Sequence, residues 1–298
     1  MAKGTKELKQ RITGVKNIQQ ITRAMEMVAS QKLKRLQNRA DAARPFSGKI
    51  QEMVARFASS VRGDLSPLME ERDEGTVCNL VVSSDKGMCG GYNANLVRFL
   101  LAMLSEDAAE KPDVAQQLKV LGNKGDIMLR ARGKTIDHKF EDVVEKLDYT
   151  RVRTLVRDLV KAFLDGEIDR LRIVYTAYLS AGKQRPAAVT ILPIRPEELL
   201  AGGGEDGEEA GDDVDFIIEP DAEAILEHLL PKFLEVKVYS AILESLASEF
   251  TFRRNAMKQA TDAADDMISA LTRQYNRARQ ESITSELLEV SSGAEALK

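Results

Sequence analysis

Apolar residues recur at steps of three and four in the first part of the chain and form a stripe along one face of a predicted helix. No proline interrupts residues 1–44. The stripe lapses at Gln31–Lys32 and resumes at Leu33 and Leu36. A narrow apolar seam of this length, flanked by charged residues, is typical of a coiled coil. We predict one helix within residues 1–62, with a kink at Pro45 and an end at Gly63 and Pro67. The apolar side chains that define the stripe are Leu8, Ile12, Val15, Ile18, Ile21, Met25 and Val28.

A second long helix is predicted near the other end of the chain, within residues 220–298. Asp221 is the expected N-cap, and Pro231 should kink or break the helix. Beyond Met257 the apolar residues recur with a mean spacing of 3.5, the heptad value. Two helices with apolar seams, one on each side of a compact domain, are expected to pack against each other as an antiparallel pair. The predicted seam of the second helix consists of Ala260, Ala264, Met267, Leu271, Tyr275 and Ala278.

Strands alternate with helices between the two long segments, which predicts a Rossmann-like α/β domain over residues 75–195 with a largely parallel sheet. The last two strands should form an antiparallel hairpin around Gly182–Pro186. The fold class is therefore α/β, with a long antiparallel two-helix coiled coil formed by the N- and C-terminal helices. The predicted strands are Val77–Ser83, Leu118–Leu121, Thr135–Phe140, Leu171–Leu179 and Ala187–Ile194. The predicted helices are Asn93–Ser105, a stretch that follows Gly122–Gly125 and ends at Arg132, and Arg151–Leu164.

Composition excludes several classes of protein. No apolar run approaches the ~18 residues that a membrane span needs. Cys78 and Cys89 match no zinc or disulfide framework, and two free thiols fit a reducing cytoplasm. His138 and His228 are too scattered for a histidine-based metal site. We expect no metal and no cofactor.

Charge is distributed unevenly along the chain. Residues 1–62 carry 14 Lys and Arg against 4 Asp and Glu, whereas residues 196–231 carry 13 Asp and Glu and neither Lys nor Arg. The acidic, glycine-rich stretch 201–213 predicts a disordered surface loop within a linker over residues 196–219. The basic helix could grip nucleic acid, but no aromatic residues interleave with its charges. A solvated flank, or a surface that faces an acidic protein, is favoured.

The loop Ser83–Asn93 is the one candidate for small-molecule chemistry. It follows a strand and precedes a helix, a context that suits phosphate binding. Its glycine spacing matches neither nucleotide-binding fingerprint, and Lys86 precedes the glycines, the wrong order for a P-loop. Cys89 has no histidine nearby in sequence to activate it. A structural or partner-contacting turn is favoured over a nucleotide site, and no residue is assigned a catalytic role.

Three stretches of the sequence resemble the gamma subunits of F-type ATP synthases. They are the C-terminal segment Arg277–Leu297, with its core Ser282-Ile-Thr-Ser-Glu-Leu-Leu-Glu289, the N-terminal segment Ile12–Ala29, and the loop Ser84–Gly91. The resemblance covers essentially the whole chain in the right order. The alternative drawn from the residues alone is a nucleotide-binding α/β protein with a coiled-coil dimerisation or scaffolding stem.

The resemblance implies a central rotor shaft that transmits rotation of the c-ring to three catalytic beta subunits and regulates ATPase activity and proton flow. The partners it implies are three alpha and three beta subunits, the epsilon subunit and the c-ring, with no nucleic acid and with membrane contact only through the c-ring. The absence of a transit peptide favours the cytoplasmic face of a bacterial plasma membrane, with peripheral attachment.

The resemblance also implies positions for the contacts. Those with the beta subunits fall on Arg279, Gln280, Thr284 and Glu286, with Met25 of the first helix expected opposite them. The foot that faces the c-ring and epsilon includes Phe216, Glu219 and Asp221. Asp85, Lys86 and Cys89 form a candidate contact with the stator.

Overall fold

The computed structural model describes residues 3–60, 66–72, 75–140, 143, 147–195 and 222–295. The chain forms two compact units. The terminal unit comprises residues 1–31 and 253–298, and the central unit comprises residues 32–252. Each long helix therefore contributes residues to both units. No described helix contains a stretch long and apolar enough to cross a bilayer.

The two long helices are α1, Lys3–Ser60, and the last helix of the chain, Ala222–Glu295, here named α5. Pro45 lies inside α1 and Pro231 inside α5, so the expectation that Pro231 could break the helix was wrong. A proline removes one helical hydrogen bond, to the carbonyl group four residues earlier. Those residues are Asp41 and Glu227, and both lie on exposed positions where water can bond to the freed carbonyl.

Two hydrogen bonds establish that the helices of the terminal unit are antiparallel. Thr22 Oγ1 lies 2.8 Å from Thr261 Oγ1. One turn earlier on α1, Gln19 donates to Asp265, one turn later on α5. As the residue number decreases along α1, the number of the residue that faces it on α5 increases. The predicted antiparallel pairing is confirmed.

The buried seam of α1 follows the predicted stripe at Leu8, Ile12 and Val15 and departs from it after Val15. Ile18, Ile21 and Val28 are exposed by 55%, 59% and 53%. The residues that are buried or half-buried recur at alternating steps of three and four, which is the heptad pattern. The seam residues are Thr5, Leu8, Ile12, Val15, Gln19, Thr22, Glu26 and Ala29, and Met25 and Ser30 beside them are also half-buried.

The seam of α5 follows the prediction more closely. Met267 is 53% exposed, and its neighbour Ile268 takes the seam position instead. Thr261, which the apolar pattern passed over, is buried. The seam consists of Met257, Thr261, Ala264, Ile268, Leu271, Tyr275, Ala278 and Ser282.

The central unit contains a five-stranded sheet in the order β3-β2-β1-β4-β5. The first four strands in this order are parallel, and β5 runs antiparallel to β4. The predicted Rossmann-like α/β fold is confirmed. Its strands are β1 Thr76–Val82, β2 Ala115–Leu121, β3 His138–Phe140, β4 Arg170–Ser180 and β5 Lys183–Leu192, and its helices are α2 Tyr92–Glu110, α3 Asn123–Arg130 and α4 Tyr149–Leu164.

Helices cover both faces of the sheet, which explains the near-continuous apolar character of β1. On one face, Cys78, Leu80 and Val82 join a core built with α1, α4 and α5. On the other face, Val81 joins a core built with α2 and α3. A short 3-10 helix, Pro67–Met69, adds Leu68 and Met69 to the first core.

The hairpin between β4 and β5 is tighter than predicted. Pro186 is not part of the turn but pairs with Thr176 within the ladder. A proline is tolerated there because β5 is an edge strand and can leave one position without a donor. The strand predicted over Thr135–Phe140 is also shorter, since only His138–Phe140 pairs with β2.

Candidate functional site

The chain has two regions where function could reside, and the first is the carboxyl edge of the sheet between β1 and β4. These strands are neighbours, but the connection after β1 leads to β2 on one side, whereas the hairpin after β4 leads to β5 on the other. Doubly wound folds bind nucleotides at such a switch point. The loop Ser83–Asn93 lies there, directly after β1.

Hydrogen bonds within the loop hold it in a closed turn. Asn93 accepts from the Ser84 backbone N–H at 3.1 Å and donates to Ser84 Oγ at 2.7 Å. The same amide group donates to Cys89 Sγ at 3.3 Å. Met88 and Gly90 have φ angles of 62° and 53°, the left-handed conformation that reverses the chain. The loop therefore uses its polar groups to fold upon itself.

The neighbouring helix α3 offers no free first turn to an anion. Helix N-termini bind phosphate through backbone N–H groups that lack helical partners. Here the N–H groups of Asn123, Lys124 and Gly125 donate to Asp85 Oδ1, the Ser84 carbonyl and Ser83 Oγ, at 3.1, 2.9 and 2.9 Å. The residues after β1 thus satisfy the amides that a phosphate would need.

Helix α5 covers the remainder of the switch point. Ser245 Oγ lies 2.8 Å from the Tyr92 hydroxyl and accepts from the Thr176 backbone N–H at 3.3 Å. Ser248 Oγ donates to the Thr176 carbonyl at 3.1 Å. All four residues are buried. The space that a nucleotide occupies in other doubly wound folds is filled by this chain's own helix.

The three residues predicted for a stator contact differ in accessibility. Cys89 is 2% exposed, so its thiol packs inside the turn and cannot itself form a surface contact. Lys86 is exposed and Asp85 is half-buried. Met88 is 66% exposed and was not singled out, because one methionine in a glycine-rich loop carries no pattern. The exposed side chains of this loop are therefore those of Lys86 and Met88.

The second region is the surface of the terminal unit. Apolar side chains are exposed on both of its helices, although polar residues occupy part of the buried seam. Such a surface is typical of a segment that a partner covers. The exposed apolar residues are Ile18, Ile21, Met27 and Val28 on α1, and Met267, Ile283, Leu287, Leu288 and Val290 on α5.

The four α5 residues predicted to contact beta subunits lie on the exposed end of that helix. Thr284 Oγ1 donates to the Gln280 carbonyl at 3.0 Å, and Glu286 accepts from Ser282 Oγ at 3.4 Å. These bonds are local to the helix and leave the side-chain surface accessible. The register of Thr22 with Thr261 brings Gln280 to the level of Lys3, the first described residue of α1.

Met25 is not opposite this group, contrary to expectation. In the same register Met25 lies near the level of Lys258, which is about 30 Å along the helix axis from Arg279. Sequence reasoning missed this separation because the register of two helices depends on their side-chain contacts. Arg279, Gln280, Thr284 and Glu286 therefore lie near one end of the terminal unit, and Met25 lies at a different level along its axis.

Two further observations concern ligands. The predicted foot residues Phe216, Glu219 and Asp221 and the linker 196–219 lie outside the described residues. Within the described part of the chain, no three His, Cys, Asp or Glu side chains are grouped so that they could hold a metal ion.

A cleft of about 310 Å³ lies in the central unit between α5, α1 and the β4–β5 face. Burial raises the pKa of Glu244 at its edge, and a hydrogen bond from the Tyr178 backbone N–H opposes that shift. Burial and the nearby Glu244 raise the pKa of Tyr175 to about 12. Lys237, also in the cleft wall, donates to the Thr190 carbonyl at 3.2 Å. Two of the polar side chains that line the cleft, Glu244 and Lys237, already have hydrogen-bond partners within the chain.

Comparison with known proteins identifies the family. The family described as ATP synthase matches residues 4–297. The ATP synthase gamma chain of Geotalea daltonii is 40% identical over 293 residues, which cover 98% of each chain. That of Trichlorobacter lovleyi is 38% identical, with the same coverage.

Solved structures share the fold. The rotor of the Euglena gracilis mitochondrial ATP synthase matches with a TM-score of 0.64 and 20% identity, over 94% of this chain and 99% of that chain. A chain from the OSCP/F1/c-ring structure of the same enzyme matches with a TM-score of 0.67 and 19% identity, over 99% and 94%. With the full-length relatives at 38–40% identity, these findings establish that the chain belongs to the ATP synthase gamma chain family.

Proposed function

We propose that the chain is the central rotor shaft of a proton-translocating F-type ATP synthase. In this role it transmits rotation of the c-ring to the three catalytic beta subunits and regulates ATPase activity and proton flow. Its partners are three alpha and three beta subunits, the epsilon subunit and the c-ring. The observation that carries the proposal is the terminal unit, a two-helix pair with apolar side chains exposed on both helices in a chain of the gamma family.

The physical mechanism is differential contact. The two helices have different sequences, so the pair presents a different surface in each direction. A surrounding ring of three like subunits then meets a different face of the shaft at each site. A contact that is stronger with one conformation of a subunit shifts that subunit toward it. Rotation would bring each face of the helix pair to a different subunit in turn. The ATP reaction itself would take place in the surrounding ring.

Individual residues are assigned to contacts as part of the same proposal. Arg279, Gln280, Thr284 and Glu286 contact beta subunits at the end of α5, and Met25 contacts them separately on α1. Both positions are supported by exposure or partial exposure of the side chains. Phe216, Glu219 and Asp221 are assigned to the c-ring and epsilon foot. Lys86 and Asp85 are assigned to a stator contact, to which Cys89 contributes by holding the turn.

The chain is proposed to have no catalytic site of its own. Support comes from the switch point, where α5 fills the crevice and residues 83–85 engage the first turn of α3. We also propose peripheral attachment at the cytoplasmic face of a bacterial plasma membrane. The full-length relatives at 38–40% identity come from bacteria, whereas the mitochondrial chains are only 19–20% identical.

The test is ATP hydrolysis by an alpha–beta hexamer from the same source, with and without this chain. Co-elution and several-fold stimulated, sustained turnover are expected.

A matched pair of variants locates the contact. Leu287→Gln with Leu288→Gln should weaken association, since both side chains are more than 60% exposed on the terminal unit. Leu164→Gln with Leu179→Gln alters two exposed leucines of the central unit and should not.

Absence of association, with hydrolysis unchanged, would contradict the rotor role. The nucleotide-binding alternative makes the opposite prediction for the isolated chain. It requires ATP to bind near Ser83–Asn93 and to perturb resonances of that loop in an NMR titration. The occupied amides of α3 argue against such binding.

A further inference from the structure

The cleft between α1, α5 and the β4–β5 face has no role in the proposed rotor mechanism, yet it has the size of a ligand site. Its volume of about 310 Å³ lies at the lower end of the ~300–1,000 Å³ that small-molecule pockets occupy. The gap exists because short side chains line it on both flanking helices. They are Ser47 on α1 and Ser240 and Ala241 on α5.

Apolar side chains form most of the remaining wall. The sheet contributes Ile173 from β4 and Val189 and Ile191 from β5, and α5 adds Phe233 and Val236. Apolar surface that a ligand and this wall remove from water would favour binding in proportion to its area. An apolar cleft with a few polar groups at fixed positions is the usual form of a small-molecule site.

Two side chains of opposite charge line the cleft at different levels. Lys237 and Glu244 are seven residues apart on α5, which separates them by about 10 Å along the helix axis. The Lys237 ammonium group donates to the Thr190 carbonyl at 3.2 Å and lies 5.8 Å from the centre of the Phe233 ring. The positive group is therefore already engaged by the chain.

Glu244 is less well satisfied than Lys237. A carboxylate can accept about four hydrogen bonds, and the Tyr178 backbone N–H donates one to Glu244, at 3.3 Å. Burial raises the pKa of this carboxyl group, and no cation among the described residues contributes to the pKa. The ionised form thus loses water without gaining a positive partner from the described part of the chain. An ammonium group placed beside it would compensate for that loss.

An aromatic ring lies next to this carboxylate. Tyr175 also lines the cleft, and Glu244 is close enough to raise the pKa of the Tyr175 phenol, while the exposed Arg185 lowers it. Organic ammonium ions bind to aromatic faces as well as to carboxylates. Glu244 and Tyr175 therefore provide the two kinds of group that recognise an amine.

We infer that the cleft binds a small organic cation, with its ammonium group against Glu244 and Tyr175 and its apolar body against the β4–β5 face. The ligand class is a primary amine that carries one aromatic ring system. Such a ligand would contact α1, the sheet and α5 together and should stabilise the folded central unit. The inference is independent of the rotor role, because none of these residues is assigned to a contact with another subunit.

The experiment uses tryptamine as the probe and the full-length chain as the receptor. The alkylammonium group is charged at pH 7, as that of lysine is. Two control compounds keep the indole ring: 3-ethylindole lacks the charge, and indole-3-propionate reverses it. Binding is followed by NMR of isoleucine methyl groups. Ile173 and Ile191 report on the cleft, and Ile127 and Ile283, which are exposed elsewhere, are internal controls.

Tryptamine should shift the methyl resonances of Ile173 and Ile191 in a saturable way, with a dissociation constant in the millimolar to high-micromolar range. Both control compounds should bind at least several-fold more weakly. Glu244→Gln keeps the size of the side chain and removes its charge, so it should weaken tryptamine binding about tenfold or more and leave 3-ethylindole unaffected.

Two further variants define the position of the site. Ser240→Phe fills the gap and should abolish the shifts caused by tryptamine. Glu235→Gln makes the same change as Glu244→Gln on the same helix, at a carboxylate that accepts from the Tyr149 hydroxyl at 2.7 Å, and should leave the affinity unchanged. Far-UV circular dichroism checks that each variant is folded.

Three results would overturn the inference. One is the absence of saturable shifts at Ile173 and Ile191, and another is equal affinity for tryptamine and 3-ethylindole, which would describe an apolar gap without a cation site. The third is tighter binding of indole-3-propionate, which would identify Lys237 as the recognising group. If Glu244→Gln fails to fold, the comparison of the three compounds on the wild-type chain still decides between these outcomes.

Discussion

The phenolic hydroxyl of Tyr92 lies 2.8 Å from Ser245 Oγ and connects the first residue of α2 to the first third of α5. Both side chains are buried. Burial and the nearby Glu249 raise the pKa of the Tyr92 phenol, which therefore stays neutral at physiological pH. The bond fastens α5 across the edge of the sheet where related architectures leave a crevice for a ligand.

Removing this bond should destabilise the central unit. Tyr92→Phe is expected to cost about 1–2 kcal/mol, because Ser245 loses a partner in a buried site. Thermal unfolding followed by near-UV dichroism of the tyrosines measures the loss, since five of the six tyrosines lie in the central unit. In a double-mutant cycle with Ser245→Ala, a coupling of about 1 kcal/mol is expected. Strictly additive effects would show that the two hydroxyl groups do not interact.

Gly122 should tolerate no side chain. Its φ angle is 91°, and an added Cβ would lie 2.3 Å from the Ser83 carbonyl oxygen. Gly122→Ala is therefore expected to cost more than about 4 kcal/mol, since rigid backbone must move. The matched control is Gly166→Ala, with φ 76° but open space around the added Cβ, and strain alone should cost about 1–2 kcal/mol. Equal losses of stability in the two variants would contradict the close approach.

Arg172 holds a buried polar cluster on the sheet. It forms an ion pair with Asp107 and donates to Asn79 Oδ1 at 3.1 Å. Because the two charged side chains are only 13% and 25% exposed, Arg172→Ala leaves a largely buried carboxylate and should cost about 3 kcal/mol or more. Arg157→Ala, at a 76% exposed position, is the control and should cost less than about 0.5 kcal/mol. Urea unfolding compares the two variants.

Glu244 should make the stability of the central unit depend on pH. Its folded-state pKa is raised by burial, so the folded state holds this proton to higher pH than the unfolded state does. The stabilisation that comes from this bound proton is fully present below the unfolded-state pKa of about 4.3 and is lost as the pH rises through the folded-state pKa. Glu244→Gln should therefore raise the melting temperature at pH 7 and change it little near pH 4. A larger change in melting temperature at pH 4 than at pH 7 would contradict a raised folded-state pKa for Glu244.

The end of α5 should affect coupling without affecting the fold. Thr284→Val combined with Glu286→Ala replaces two exposed side chains whose hydrogen bonds are local to the helix. The isolated chain should keep its melting temperature, while membranes that carry the variant should synthesise less ATP per unit of proton gradient. Ser292→Ala, which also removes only a local helical bond, is the control. Normal synthesis by the double variant would contradict the assigned beta-subunit contact.

The pattern of residues along the sequence determined much of what could be predicted about the fold of this protein. Narrow apolar stripes predicted both long helices, because such a stripe must be covered by another helix. Their positions on either side of a compact domain predicted the antiparallel pairing. Alternation of strands and helices predicted the α/β sheet between them, and the motifs at the chain ends indicated the gamma family. The antiparallel β4–β5 hairpin was also predicted, although its turn was placed too late.

Tertiary contacts decided what the pattern left ambiguous. The predicted apolar stripe left the buried face of α1 at Ile18 and Ile21, where Gln19 and Thr22 instead face α5 and form hydrogen bonds with it. The same register separates Met25 from Arg279. Ser245 closes the switch point from more than 150 residues away in the chain. Periodicity reports which residues share a face, but which face is buried depends on the partner that covers it, and only the folded chain supplies that partner.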